Sequence, residues 1–168
     1  TFTQKVGSNK LTVRNDATVA YDNVGGGIWL NQNREGTDLP TIAHITPDGV
    51  DYDNLSAGVS HVYCRNSGID MSPDGSELAV VGAGAKKLTI YAVSKDAAGK
   101  ISLTHKYTIA TAGSNHTALS YDYAGNLYVA NRSDEKINFY AMPYSGTVST
   151  PCASKYAFEL QESVGTIY

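Results

Sequence analysis

The chain has 168 residues, a length typical of one domain with a hydrophobic core of its own. Only 17% of the residues are charged, the formal net charge is −3, and lysine and arginine form no cluster, so the composition excludes a protein that binds along a nucleic-acid backbone. No run of about 18 apolar residues occurs, so we expect no membrane span.

The first predicted unit covers residues 14–63 and follows a short leading stretch, residues 1–13. Its apolar runs are separated by a glycine-containing turn, by a polar loop and by the Thr-Pro-Asp-Gly turn at 46–49. Proline presets φ, aspartate bonds to its own backbone and glycine accepts positive φ, so this last stretch predicts a tight turn. The runs are short and rich in β-branched and aromatic residues, which predicts β-strands.

The same pattern recurs twice, in units predicted at residues 64–113 and 114–162, before a tail at residues 163–168. In each unit an apolar run leads through a glycine-containing turn to a second run, then through a polar loop to a third. The alternation at residues 156–160 predicts a fourth strand that closes the last unit.

The repeat has a period of 50 residues, because Val19, Ile69 and Leu119 are each 50 apart. Tyr21, Met71 and Tyr121 show the same spacing. A period near 50 with four short strands per unit is typical of β-propeller blades. The alternative is a β-sandwich with coincidental spacing, but the match in residue type and position across three units favours an all-β fold built of four-stranded antiparallel blades.

Two stretches resemble the YVTN repeat of surface-layer and lactonase-like propellers. They are residues 72–93, SPDGSELAVVGAGAKKLTIYAV, and residues 123–142, YAGNLYVANRSDEKINFYAM. Residues 127–132 carry the pattern almost whole, whereas residues 81–84 depart from it where Asn-Arg is usual. The resemblance implies an extracytoplasmic bacterial protein, in the periplasm or at the cell surface, but it specifies a fold and not an activity.

Three units do not close a ring, because propellers have about four to eight blades. An open arc leaves two apolar blade faces exposed, which is rare in a soluble monomer. We therefore expect as partners either the remaining blades of a parent chain of about six to eight blades or a second copy of the chain. Residues 2–5 are similar to the outer strand of a preceding blade, which favours the parent chain.

In a four-stranded blade, the loop between strands two and three lies at the same end as the connection between blades, and we expect a ligand to bind there. The predicted ligand-binding residues of this end are Trp29, Gln32, Asn33, Arg34, Arg65, Asn66, Asn115, His116, Asn131 and Arg132. Amide, guanidinium and aromatic groups suit hydrogen bonding to, and stacking on, a carbohydrate or protein ligand. For each residue the alternative is structural: asparagine and serine cap turns, and Arg132 pairs with a neighbouring carboxylate.

The four histidines do not cluster in the sequence. His44 and His105 alternate within predicted strands and are expected on the sheet surface. His116 is the best functional candidate among the histidines, because it begins an inner strand at the expected binding end.

No catalytic motif, metal site or cofactor is predicted. Nucleophile-elbow, metalloprotease and phosphate-loop motifs are absent from the sequence. Asp48, Asp51 and Asp53 are closely spaced but do not follow the calcium-loop pattern. Cys64 and Cys152 are predicted to be separate thiols, with a long-range disulfide as the alternative.

The sequence therefore predicts a non-catalytic propeller module for binding or scaffolding. The alternative is part of a lactonase-like hydrolase that acts on a sugar lactone. Such an enzyme needs acidic groups that converge on the central channel, and the inner strands offer Asp22, Asp70 and Asp122, of which the first and the last begin turns.

Overall fold

The computed structural model of the chain describes residues 5–6, 9–10, 17–31, 42–47, 49–51, 65–83, 87–99, 101–111, 116–133, 135–143 and 157–159. Every regular element in these ranges is a β-strand. Within the same ranges there is no helical segment with the length and apolarity that a membrane crossing requires.

The described residues include three four-stranded antiparallel sheets, each with its strands in chain order. The first sheet contains β3 (Thr18–Tyr21), β4 (Ile28–Asn31), β5 (Ile42–Thr46) and β6 (Gly49–Asp51). The middle sheet contains β7 (Arg65–Met71), β8 (Glu77–Ala83), β9 (Lys87–Lys95) and β10 (Ile101–Ala110). The third sheet contains β11 (His116–Tyr121), β12 (Leu127–Asn131), β13 (Lys136–Tyr140) and β14 (Ala157–Glu159).

The first strands of the three sheets lie side by side. Strand β7 contacts both β3 and β11, so these strands form the hub and the later strands of each sheet lie further out. This is the all-β blade architecture that the repeat predicts. The predicted closing strand of the last unit is confirmed, since β14 pairs with β13.

The leading stretch contributes a two-stranded hairpin, β1 (Lys5–Val6) and β2 (Asn9–Lys10). Residues 2–4, the rest of the predicted outer strand, lie outside the described residues. The blade bounds at residues 14–63, 64–113 and 114–162 stay a prediction.

Thr46 pairs directly with Gly49 across β5 and β6, which agrees with the tight turn predicted there. The hub strands also end in turns held by their own side chains. Asp122 Oδ1 accepts hydrogen bonds from the N–H groups of Ala124 and Asn126, and Gly125 adopts a φ of 81°. Glycine is the residue that takes this left-handed conformation without strain.

Two layers of the hydrophobic core lie between the described sheets, and a smaller cluster of Leu30 and Ala43 lies on the other face of the first sheet. One layer joins the first and middle sheets and includes Trp29, Ile42 and Leu78. The other joins the middle and third sheets and includes Val81 and Leu127. The middle sheet is covered on both faces, and this explains why residues 78–81 read as a continuous apolar run instead of an alternating one.

Inner strands β7 and β11 approach each other closely at Gly68. A Cβ atom placed on Gly68 would lie 2.6 Å from the backbone nitrogen of Leu119 and 2.8 Å from the carbonyl carbon of Ala118. Only glycine fits this crossing of two backbones.

Candidate functional site

The two ends of the sheets differ in their connections. We call the end that carries the loop between strands two and three, together with the connection to the next sheet, the loop end. The opposite end, with the turns that follow the hub strands at residues 22–27, 72–76 and 122–126, is the turn end. At the loop end the structure describes most fully the β12–β13 loop of the third sheet.

Asn131 stabilises the β12–β13 loop through its side chain. Its side chain is almost fully buried, and its Oδ1 accepts a hydrogen bond of 3.1 Å from the N–H of Ser133. Asn131 also pairs with the fully buried His116 across β11 and β12. The structural alternative for Asn131, a residue that caps a turn, is therefore confirmed.

Arg132 and Ser133 project from the loop that Asn131 holds. Glu135 adopts a φ of 52°, which turns the chain back into β13, and its N–H donates to the carbonyl of Arg132 at 3.4 Å. Both Arg132 and Ser133 are exposed. Within the described ranges no carboxylate forms an ion pair with the Arg132 guanidinium, so the predicted surface pair is not observed there.

Several predicted ligand-binding residues lie beyond what the structure describes. Gln32, Asn33, Arg34 and Asn115 lie outside the described residues, as do Asp48, Asp53, Cys64 and Cys152. For Arg65, Asn66 and Asp51 the structure describes the backbone, within β7 and β6. Their proposed roles stay predictions.

Trp29 lies in the core instead of at a ligand-facing surface. The indole is fully buried and packs against His44, with ring centroids 4.6 Å apart and planes tilted by 48°. Among the residues that the structure describes, the indole Nε1 has no hydrogen-bond partner. Because no face of the ring reaches solvent, Trp29 cannot stack on a ligand in this conformation.

The expectation that His44 lies on the sheet surface is wrong. His44 and Asp22 are each 2% exposed, and His44 Nε2 lies 2.8 Å from Asp22 Oδ2. Trp29 pairs with His44 across β4 and β5, and this places both side chains on the face that packs against the middle sheet. His105, in contrast, is exposed as expected.

Asp22 is a buried carboxylate with several donors around it. Burial alone raises the pKa of Asp22, but the N–H groups of Gly25 and Val24 and the ring of His44 outweigh burial and hold the pKa below its ordinary value. The ionised carboxylate accepts hydrogen bonds only, so His44 Nε2 carries the proton and donates it. This pair joins the first turn to β5, and both side chains are buried.

Asp70 links the hub strands of the middle and third sheets. Its Oδ2 accepts hydrogen bonds from the Tyr121 N–H at 2.8 Å and from the Ser120 hydroxyl at 3.0 Å. Its Oδ1 accepts from the Met71 N–H at 2.9 Å. Asp70 is half-buried and lies on an inner strand, as the sequence predicts, and its carboxylate joins the middle and third sheets.

Glu77 joins the same two sheets further out, and no motif or spacing in the sequence singles it out. Its carboxylate accepts from Lys106 Nζ and from the Tyr121 hydroxyl, the latter at 3.3 Å. Burial and the charge of Glu77 raise the pKa of Tyr121, so this hydroxyl stays protonated and donates. Lys106 occupies a β-bulge between His105 and Tyr107. Across the described ranges, no three His, Cys, Asp or Glu side chains gather as metal ligands would.

Comparison with known proteins gives one family and one fold. The profile of a family described as the lipoprotein LpqB β-propeller domain matches residues 26–162. The structure is similar to a solved luciferin-regenerating enzyme, with a TM-score of 0.55 and 17% sequence identity, over 86% of this chain. The chain spans 47% of that enzyme's length, and at this identity the likeness shows the fold alone. No curated protein matches the sequence.

Proposed function

Because the chain belongs to the lipoprotein LpqB β-propeller domain family, we propose that it is a non-catalytic module that binds a ligand or a partner protein at its loop end. The observation that carries this proposal is the exposed guanidinium of Arg132 on a loop that the buried Asn131 holds. A loop ordered before binding loses little conformational freedom when a ligand arrives.

The family description also favours a location. It names a lipoprotein, which supports an extracytoplasmic place for this module, in the periplasm or at the surface of a bacterium. The similarity of residues 123–142 to YVTN repeats supports the same proposal.

Arg132 suggests the class of ligand. A guanidinium presents planar donors that match the two oxygens of a carboxylate, and Ser133 adds a hydroxyl beside it. An acidic carbohydrate or a protein segment with an exposed carboxylate fits this loop best.

Replacing Arg132 by alanine should weaken ligand binding by about ten- to hundredfold, because a hydrogen bond to a charged group contributes about 1.5–3 kcal/mol. Arrays of acidic and neutral glycans and peptides would identify the best ligand, and titration calorimetry would compare the variants. Lys95→Ala is the matched control, since Lys95 is an exposed cation at the turn end. Equal affinities for the wild type and both variants would place the binding site elsewhere.

A second candidate function is hydrolysis of a sugar lactone. The observation that suggests it is a carboxylate at the hub, Asp70. Both oxygens of Asp70 already accept hydrogen bonds from the chain itself, however, and this favours the binding module.

We expect no lactone turnover above the buffer rate, with or without added divalent metal ions, because the carboxylate of Asp70 is committed to structure. The assay would follow acid release from a panel of aldonolactones by a pH indicator. Turnover that saturates with lactone concentration and disappears in Asp70→Asn would replace the binding proposal with the hydrolase.

A further inference from the structure

Strand β10 forms a long outer edge of the middle sheet. It spans ten residues, Ile101–Ala110, and among the described strands it pairs with β9 alone. The outer strands of the other two sheets, β6 and β14, span three residues each in the described ranges. An edge strand presents unpaired backbone N–H and C=O groups, so a long, regular edge is a template for a strand of another molecule.

A β-bulge interrupts this edge near its middle. His105 pairs with Tyr91 and Tyr107 pairs with Ile90, so Lys106 is an extra residue opposite two consecutive partners in β9. A bulge bends its strand, increases the local twist and disrupts the ladder of backbone hydrogen bonds. A straight strand from another molecule therefore cannot pair along the whole length of β10.

Three side-chain contacts hold the bulge in place. Lys106 Nζ donates to the carboxylate of Glu77 on β8, and the Glu77 side chain is only 11% exposed. His105 Nε2 lies 2.9 Å from Thr108 Oγ1, so a hydrogen bond spans the bulge. The His105 ring also lies edge-on to Tyr91, with ring centroids 6.1 Å apart. A charged residue that turns inward from an edge strand is a further obstacle to strand pairing.

We propose that the Lys106 bulge keeps the outer edge of β10 from pairing with the same edge of a second copy of this chain. A second copy is the partner to be excluded, because every copy carries the same ten-residue strand and two identical edges meet about a two-fold axis. This inference does not depend on the proposed ligand site at the loop end.

The register of β10 shows that one residue makes the difference. Tyr91 and Ile90 are adjacent in β9, so removal of Lys106 alone would leave nine consecutive residue pairs between β9 and β10. Every other side chain of β10 would keep its present face, because side chains alternate along a regular strand. The edge would then be straight, regular and open to pairing.

Deletion of Lys106 tests the proposal, because it removes the bulge together with the ion pair. Lys106→Ala is the matched control, since it removes the same contact with Glu77 and keeps the extra residue. Sedimentation velocity would measure self-association at increasing concentration. We expect the deletion variant to associate at a concentration lower than that of the wild type by about tenfold or more, because a run of main-chain hydrogen bonds forms between the edges. Lys106→Ala should associate as the wild type does.

Hydrogen exchange locates the contact and also tests the wild type directly. The amides of residues 101–110 should become protected with concentration in the deletion variant, whereas their exchange in the wild type should not depend on concentration. Protection of these residues in concentrated wild type would overturn the proposal, as would a folded deletion variant that associates no more than the wild type. Equal association of the deletion variant and Lys106→Ala would also overturn it, because the lost ion pair and not the bulge would then be the cause.

Discussion

Replacing Asp22 by alanine should lower the free energy of unfolding by about 3–5 kcal/mol, because it leaves buried donors without an acceptor. The carboxylate accepts from the Val24 N–H at 3.0 Å, from the Gly25 N–H at 2.8 Å and from His44 at 2.8 Å. Alanine supplies none of these bonds, and the His44 ring cannot reach water from its place beside Trp29.

The chain contains a matched control for Asp22 at the equivalent turn 100 residues later. Asp122 also accepts hydrogen bonds from the N–H groups of its own turn, but no histidine lies against it and its carboxylate is solvated. Asp122→Ala should therefore cost much less than Asp22→Ala. Urea unfolding of both variants measures the difference, and equal losses would show that the Asp22–His44 contact contributes nothing.

The same carboxylate makes stability depend on pH. The folded pKa of Asp22 lies below that of the unfolded chain, so its contribution is complete above the unfolded pKa of about 4 and is lost as the pH falls through the folded pKa. Hydrogen bonds lower the pKa of Asp74 and of Asp122 in the same direction. Asp22→Asn should flatten the fall of stability below about pH 4, without removing it. Urea midpoints of the wild type and of Asp22→Asn, measured between pH 3 and pH 7, test this assignment. If both proteins lose stability equally steeply as the pH falls, the assignment is incorrect.

Gly68→Ala should lower the free energy of unfolding by about 3 kcal/mol, the upper part of the range for overpacked sites. The new methyl group would meet the backbone of Ala118 and Leu119, which cannot rotate away as a side chain can. Separating β7 from β11 would also lengthen the hydrogen bond from the Tyr121 N–H to Asp70. Faster hydrogen exchange at the Tyr121 amide would report that separation directly.

Gly26→Ala is the control for Gly68. Gly26 has a φ of 72° and no heavy atom within 4 Å of an added Cβ, so alanine there meets backbone strain alone, which costs about 1–2 kcal/mol. A Gly68→Ala variant that is more stable than Gly26→Ala would contradict the close crossing of the hub strands.

The sequence predicts the parts of this fold that depend on local chemistry. Asp122 begins a turn because its side chain bonds the next N–H groups, and Asn131 caps a loop for the same reason. The 50-residue period identifies the blades because Val19, Ile69 and Leu119 occupy equivalent positions in the first strands of successive sheets.

Contacts between strands distant in the sequence are harder to predict. Alternation shows which face of a strand His44 occupies, but it does not show that the middle sheet covers that face or that Asp22 lies beneath it. The ion pair of Lys106 with Glu77 depends on a bulge in β10, and a bulge changes the side to which a residue points without a sequence signal.

The hydrogen bonds between neighbouring sheets also determine which parts of the chain unfold locally. Asn23 donates from the first sheet to the carbonyls of Ser72 and Pro73, and Asp70 accepts from the third sheet. Among the described residues, the contacts between sheets join immediate neighbours, so we expect local opening to spread along one dimension. The middle sheet has a neighbour on both sides, so we expect its β7–β9 amides to exchange with solvent most slowly and the outer two sheets to open first.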